Sequence, residues 1–277
     1  MIYEKPFVLT ASNYHGREAN KKYFSVSQLK SFLECPARTM AELNGEWERE
    51  PSSALLIGSY VDAAFESESA FRRFCDDHDV EIHYKSKADK KLTEFVKADE
   101  MIRRAKSDPV FMEYMKGEHQ VIRTATLFGV PWKAKLDVLN GKVRDRSKRR
   151  IVDLKTTRDF LPQYKPGQGR MNFIDYWGYT LQGAIYQLIE GHHYPFFIAA
   201  ISKEDPPDIA IIEIPQARMD AEIDFVAEHI ERFKAIKAGI IEPDRCENCA
   251  YCRATRKLTR PLTLDELDFG IEYNAAE

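Results

Sequence analysis

The sequence predicts an α/β (α+β) fold, a central mixed sheet flanked by helices, with a helical part before it and a cysteine-rich segment after it. Two observations carry this. Helical periods fill about the first 110 residues before any strong strand signal. Strand-like runs then gather between 121 and 155 and again between 196 and 214, with a helical stretch between the two groups. Elements alternating in this way bury one face each by layering helices on a sheet. At 277 residues the chain suits one large domain. It divides into a helical part at 1–110, a core at 111–240 and a C-terminal segment at 241–277 that packs back on the first part.

The elements follow from local chemistry. Ser25-Val-Ser-Gln28 has the form of a capping box, opening a helix that carries Leu29, Phe32, Leu33, Met40 and Leu43 and steps at Pro36. A second helix over 53–67 repeats Leu55, Leu56, Val61, Ala64 and Phe65 at helical spacing. A charged helix over 88–106 turns Leu92, Phe95 and Ile102 inward. Val121–Leu127 and Val130–Leu139 read as a hairpin about Phe128-Gly129, a third strand follows Gly141, and Arg150-Ile-Val-Asp-Leu-Lys155 is a short strand ending in charge. Residues 160–171, rich in Pro and Gly, read as a loop. A helix over 173–190, strands at 196–202 and 208–214 and a long helix over 216–238 complete the order.

Composition excludes several classes of function. Charged residues make up 31% and hydrophobic residues 44%, a globular balance that argues against disorder. No apolar run reaches the roughly 18 residues of a membrane span, and the N-terminus has no signal-peptide core. A cytoplasmic location is the simplest expectation. The net charge of -3 gives no global basic field, yet residues 142–150 hold six basic groups and one acid, and 253–260 hold four basics. Acidic stretches at 76–81 and 265–272 balance them. Such runs are ordinary solvated surface as often as they are nucleic-acid contacts.

The sharpest constellation is Lys133-Ala-Lys-Leu-Asp137 on one strand and Asp153-Leu-Lys155 on a later one. Residues two apart on a strand share a face, so Asp153 and Lys155 point the same way. If the two strands are neighbours, Asp137 meets Asp153. Paired carboxylates can hold a hard cation such as Mg2+ or Mn2+, with water and phosphate oxygens completing its shell. A lysine beside them can serve an attacking water. On its own, D-x-K is also a common strand-end ion pair. Its neighbours add to it. Gly58-Ser-Tyr-Val-Asp62 with Glu66 puts two carboxylates one helical turn apart, and Gln182 and Tyr186 repeat that spacing downstream.

Taken in order, these four elements resemble the RecB-type branch of the PD-(D/E)xK superfamily, whose restriction-endonuclease-like core carries a G-x3-H-x3-E helix, an Asp strand, a D/E-x-K strand and a Q-x3-Y helix. The resemblance spans about residues 25 to 252. It implies that Asp137, Asp153 and the Leu154 carbonyl bind metal, with Asp62 and Glu66 nearby, and that Lys155 serves the water. Gln182 and Tyr186 would position the active site or the DNA backbone. One departure stands out: Asp62 occupies the slot that usually holds His. Ser25–Leu43, Ile57–Phe65, Asp153–Thr157 and Asn172–Tyr186 are most similar to the phage and prophage exodeoxyribonuclease VIII (RecE-like) group. That likeness implies resection of linear double-stranded DNA ends in the cytoplasm of a bacterial host, for recombination with a single-strand DNA annealing (RecT-like) protein. A homo-oligomer around DNA is a further implication. An endonuclease or CRISPR-adaptation-like nuclease of the same fold, or a catalytically weak DNA-binding protein, stays open as an alternative.

Five cysteines occur, and Cys246, Cys249 and Cys252 form C-x2-C-x2-C. A reducing compartment disfavours disulfides, so the run points to a metal needing a fourth thiolate, for which Cys35 is the candidate. RecB-type nucleases of the AddB class are similar, with one early and three late cysteines around an iron–sulfur cluster, although their last spacing is longer. A [4Fe-4S] cluster is therefore the first expectation and Zn2+ the alternative. For DNA, the nuclease reading selects Arg146 and Arg149, in the turn between the two acidic strands, and Lys165 and Arg170, in the loop after Lys155, as phosphate contacts.

Overall fold

The computed structural model describes residues 7–50, 52–84, 87–165, 167–258, 260, 261, 263 and 264. The acidic stretch at 265–272 lies outside the described residues. The chain begins with α1 (Arg17–Lys22), which the sequence reading missed, followed by α2 (Val26–Glu34) and α3 (Pro36–Asn44). Ser25 Oγ accepts from the Gln28 amide at 3.3 Å, as a cap should. The reciprocal half of the capping box is absent, because the Gln28 side chain donates to Asn20 O and accepts from Lys237. The break between α2 and α3 falls at Cys35, since Pro36 cannot extend a helix but suits the first position of the next. Gly45, at φ 80°, ends α3 in the left-handed form that glycine adopts without strain.

Next come α4 (Ser53–Glu66), α5 (Glu68–Asp77) and α6 (Asp79–Ile82), then the small pair β1 (His83–Tyr84) and β2 (Lys87–Lys91). The charged helix expected from 88 starts only at α7 (Thr93–Lys106), because 87–91 pairs as a strand. There Lys91 Nζ reaches both Tyr60 Oη and Asp99 at 2.7 Å. A short α8 (Pro109–Tyr114) follows, capped by Asp108.

The main sheet opens with β3 (Glu118–Leu127) and β4 (Val130–Asn140). Their turn is Phe128-Gly129, at φ 51° and 70°, the double positive-φ geometry that a two-residue hairpin of right-handed twist demands. The third strand expected after Gly141 does not form. Instead, 141–149 is a basic connection with one 3-10 turn, in which like charges disfavour a flat ladder and Arg149 Nε bonds back to Val143 O. Then come β5 (Arg150–Thr157), and the small hairpin of β6 (Gln163–Lys165) and β7 (Gly169–Met171) inside the expected loop. The helix expected over 173–190 is two, α9 (Phe173–Trp177) and α10 (Tyr179–Glu190), broken at Gly178 with φ 62°. The chain finishes with β8 (Phe196–Ser202), β9 (Ile209–Ile214), α11 (Gln216–Lys237) and α12 (Ala250–Ala254).

The sheet order is β3-β4-β5-β8-β9, antiparallel except for the parallel β5–β8 pair. A parallel pair needs a crossover, and α9 with α10 supplies it. β5 and β8 are buried on both faces and so read as continuous apolar runs. One face is covered by α2, α10 and α11, through Leu29, Phe32, Ile185, Phe233 and the fully buried Trp132. The other is covered by α4, α7 and α8, through Tyr60, Val61, Phe95, Met101 and Phe111. The N-terminal helices thus contribute to both layers over the core sheet, α2 to one and α4, α7 and α8 to the other.

Candidate active site

The site is built where β4 and β5 part. Their ladder runs Asn140↔Arg150, Leu139↔Ile151 and Val138↔Val152, then stops. The next amide on β5, Leu154 N, donates to Asp137 Oδ2 at 2.9 Å in place of a β4 carbonyl. On its other edge β5 stays paired with β8 through Thr157. β5 is therefore held rigidly on one side and open on the other, and the acidic pair meets in the opening.

Asp153 is the most enclosed of these groups, with its side chain 2% exposed. Gln182 Nε2, from α10, donates to its Oδ1 at 2.7 Å. Lys155 Nζ forms a close ion pair with its Oδ2 at 2.5 Å. Burial and the Asp137 charge push the Asp153 carboxyl up to about 7, against the opposing pull of Lys155. Burial pulls the Lys155 ammonium down, yet Asp153 and Asp137 outweigh it and hold it above the ordinary lysine range. Asp62 comes from α4 on the other side of the sheet, and burial with the Asp137 charge raises its carboxyl too. Glu66, one turn on, is exposed; with Asp62, Gln120 and Lys135 it lines a neighbouring recess. Tyr186 Oη donates to Lys135 O at 3.4 Å, so it braces the β4 backbone. Leu154 points its side chain into the α4 layer, while its carbonyl accepts from Lys155 Nζ at 3.3 Å.

Sequence reasoning missed Gln120, Tyr14 and Lys30. Gln120 on β3 adopts φ 51°, a left-handed conformation costly for a residue with a Cβ, and its Nε2 reaches Asp137 Oδ1 at 3.3 Å. Tyr14 is buried, and burial and the Asp137 charge raise its hydroxyl pKa. Lys133 Nζ donates to Tyr14 O and Asn20 Oδ1, fastening the N-terminal segment over β4. Lys30 on α2 donates to Trp177 O at 2.7 Å and lies over the Tyr179 ring; burial and the Lys155 charge lower it to about 8. Nothing in local sequence marks Gln120 or Tyr14, because only the tertiary fold brings them to Asp137.

These residues suit a hard divalent cation. Asp137 and Asp153 lie within hydrogen-bonding reach of each other, an arrangement that costs energy unless a proton or cation sits between them. Beside them is a cleft of about 520 Å³, lined by Asp62, Leu154, Lys155, Arg158, Trp177 and Tyr179. A family model described as a PDDEXK-like domain of unknown function (DUF3799) matches residues 25–255. The chain belongs to this PD-(D/E)xK family. Among solved structures it is similar to a "putative exonuclease" of Eubacterium rectale, at 39% identity and TM-score 0.87, over 96% of this chain and all of that one. No curated protein matches it.

In this PD-(D/E)xK chain the expected phosphate contacts fall in two places. The β6–β7 hairpin puts Gln163 on the cleft beside the carboxylates and Lys165 on the adjoining groove with Lys30 and Trp177; Arg170 stands on the same hairpin. Arg146 and Arg149 sit instead at the closed end of the β4–β5 ladder, three residue pairs or roughly 10 Å behind the carboxylates. This corrects the expectation that the turn projects them beside the site. Arg150 of the same run is buried, bonded to Glu113 O and packed on Tyr114, and so is structural. The four expected cysteines, 35, 246, 249 and 252, do meet, and their Sγ atoms all lie within 4.8 Å of one another. Cys75 stands apart from them, packed at the edge of the α4 layer. No helix among the described residues is long and apolar enough to cross a membrane.

Proposed function

We propose that the chain is a Mg2+- or Mn2+-dependent exonuclease that hydrolyses phosphodiester bonds at the ends of linear double-stranded DNA. The observation that carries this reading is the opened β4–β5 edge, where Asp137, Asp153 and Lys155 meet beside a cleft of about 520 Å³ that Lys155 and Asp62 help to line. Asp137 and Asp153 would hold the cation, with Asp62 directly on it or through water. When bound, it supplies Lewis-acid stabilisation of the phosphate and the leaving oxygen. Gln182 fixes the Asp153 carboxylate through Oδ1, while Oδ2 pairs with Lys155 and would be the oxygen offered to the cation. Gln120 and the Leu154 amide fix Asp137 in the same way. Lys155 Nζ, held charged by its neighbours, is placed to donate to the attacking water or a non-bridging phosphate oxygen. Lys165 and Arg170 would seat the backbone beside it.

Exonuclease action rests on the resemblance to the RecE-like group and on the description of the Eubacterium rectale protein. In that role the product would be a single-stranded tail handed to a RecT-like annealing protein in a phage-infected or lysogenic bacterium. The test is an incubation of end-labelled linear duplex and closed circular duplex with Mg2+ or Mn2+, with chelator as control. Linear DNA should shorten from its ends while circles persist. Rapid linearisation of circles would replace this reading with an endonuclease, and no metal-dependent cleavage of either would leave a DNA-binding protein.

A further inference from the structure

The cysteine cluster draws on the two ends of the chain. Cys35 stands at the sharp join of α2 and α3, and residues 246–252 lead into α12. None of the four is in a disulfide. Cys35 and Cys252 are 3.6 Å apart, Cys35 and Cys249 3.8 Å, and Cys246 and Cys252 4.0 Å. Four sulfurs bound to one ion at ~2.3 Å define a tetrahedron with edges of about 3.8 Å. In a [4Fe-4S] cube each thiolate sits on a different iron, and the irons and sulfides between them hold the thiolates on the order of 6 Å apart. The observed separations fit the first arrangement and leave no room for the second.

The surrounding backbone agrees with a compact thiolate centre. Cys249 N donates to Cys246 Sγ at 3.3 Å, Cys252 N to Cys249 Sγ at 3.4 Å, and Arg38 N to Cys35 Sγ at 3.4 Å. Amides placed in this way offset thiolate charge and orient each sulfur. Glu247 takes φ 57°, which folds the chain tightly enough for Cys246 and Cys249 to face one point. Cys35 and Cys252 are fully buried, Cys246 and Cys249 half-buried, and Ala37 and Tyr251 pack around them. The geometry points to a single tetrahedral Zn2+ held by Cys35, Cys246, Cys249 and Cys252, in place of an iron–sulfur cluster.

This site is structural. Four protein ligands fill the tetrahedron and leave no open position for chemistry. It fastens the C-terminal segment to the α2–α3 joint, where Ala37 N also donates to Asp244 O at 2.9 Å. α2 carries Lys30 to the groove adjoining the cleft, where it bonds Trp177 O, so the clamp steadies that groove from behind. The inference stands on the sulfur geometry and not on the nuclease reading.

The test is metal analysis of the full chain, purified without oxygen and without added metal. About one zinc per chain is expected, with iron at trace level and no visible colour. X-ray absorption at the zinc edge should show four sulfur neighbours at ~2.3 Å and no nitrogen. Metal-free chain is then offered Zn2+ alone, or Fe2+ with sulfide under anaerobic conditions. Zinc should restore the melting temperature, and iron with sulfide should not. Cys246→Ser should lose the zinc, and Cys75→Ser should keep it. Four irons per chain with cluster absorbance, or four thiols that alkylate freely in native zinc-supplied protein, would overturn the assignment.

Discussion

At the scale of single residues, Asp153 is a buried carboxyl held at an electrostatic cost. Its folded carboxyl titrates near 7 against an ordinary 3.8. Between those values the folded protein keeps a proton that the unfolded chain has lost, so stability falls as pH rises through this window. Asp153→Asn cannot ionise. In chelator, the melting temperature of the variant minus that of the wild type should therefore grow from pH 5 to pH 8 and level off above. A difference unchanged with pH would show that the carboxylate is not strained in this way. Gln120 makes the converse prediction. It adopts a costly backbone conformation and holds Asp137 without a motif of its own. Gln120→Ala should raise the cation concentration needed for half-maximal cleavage by roughly 10- to 100-fold, the usual cost of losing a partner behind a metal ligand. An unchanged cation requirement would remove it from the site.

At the scale of elements, α10 shows why the Gln182-Gly-Ala-Ile-Tyr186 pattern is written as it is. A Cβ on Gly183 would stand 2.4 Å from Phe196 and 2.8 Å from Met219, so only glycine lets the helix lie close to β8 and bring Gln182 to Asp153. Gly183→Ala should cost about 1–3 kcal/mol by overpacking and lower activity by displacing Gln182. Denaturant unfolding and cleavage rates measure both effects, and a fully active, equally stable variant would contradict the packing argument. Elements with strong periodicity or turn chemistry were legible in the sequence, among them α4, the β3–β4 hairpin, β5, β8 and α11. The misses are physical in kind. The break at Gly178 looks like a tolerated glycine inside a helical period, and α6 and α8 are short pieces held by burying Ile82 and Phe111. The pairing of 87–91 as a strand has no alternating apolar pattern to reveal it.

At the scale of the whole molecule, the sequence singled out Asp137, Asp153, Lys155, Gln182 and the four cysteines, because each belongs to a spaced motif, and the structure brings each set together. It could not locate Gln120, Tyr14 or Lys30, which reach the site only through folding. It also set Arg146 and Arg149 beside the carboxylates, since a turn between two catalytic strands does not say at which end the strands open. That placement predicts an asymmetry in DNA binding. Removing Lys165 and Arg170 together should reduce the slope of log affinity against log salt by about two, close to one for each phosphate no longer neutralised. Removing Arg146 and Arg149 should reduce it less. Equal reductions would mean that DNA also runs behind the β4–β5 ladder.

The central claim is that the opened edge between β4 and β5 is a metal-dependent nuclease centre. Its most direct test is the release of label from linear duplex DNA by the wild type and by Asp153→Asn, both in Mg2+, with circular dichroism and DNA binding followed in parallel. Wild type should release label only with the cation. Asp153→Asn should stay folded, bind DNA and release none. Cleavage by the folded variant at the wild-type rate, or wild-type cleavage in chelator, would contradict the account.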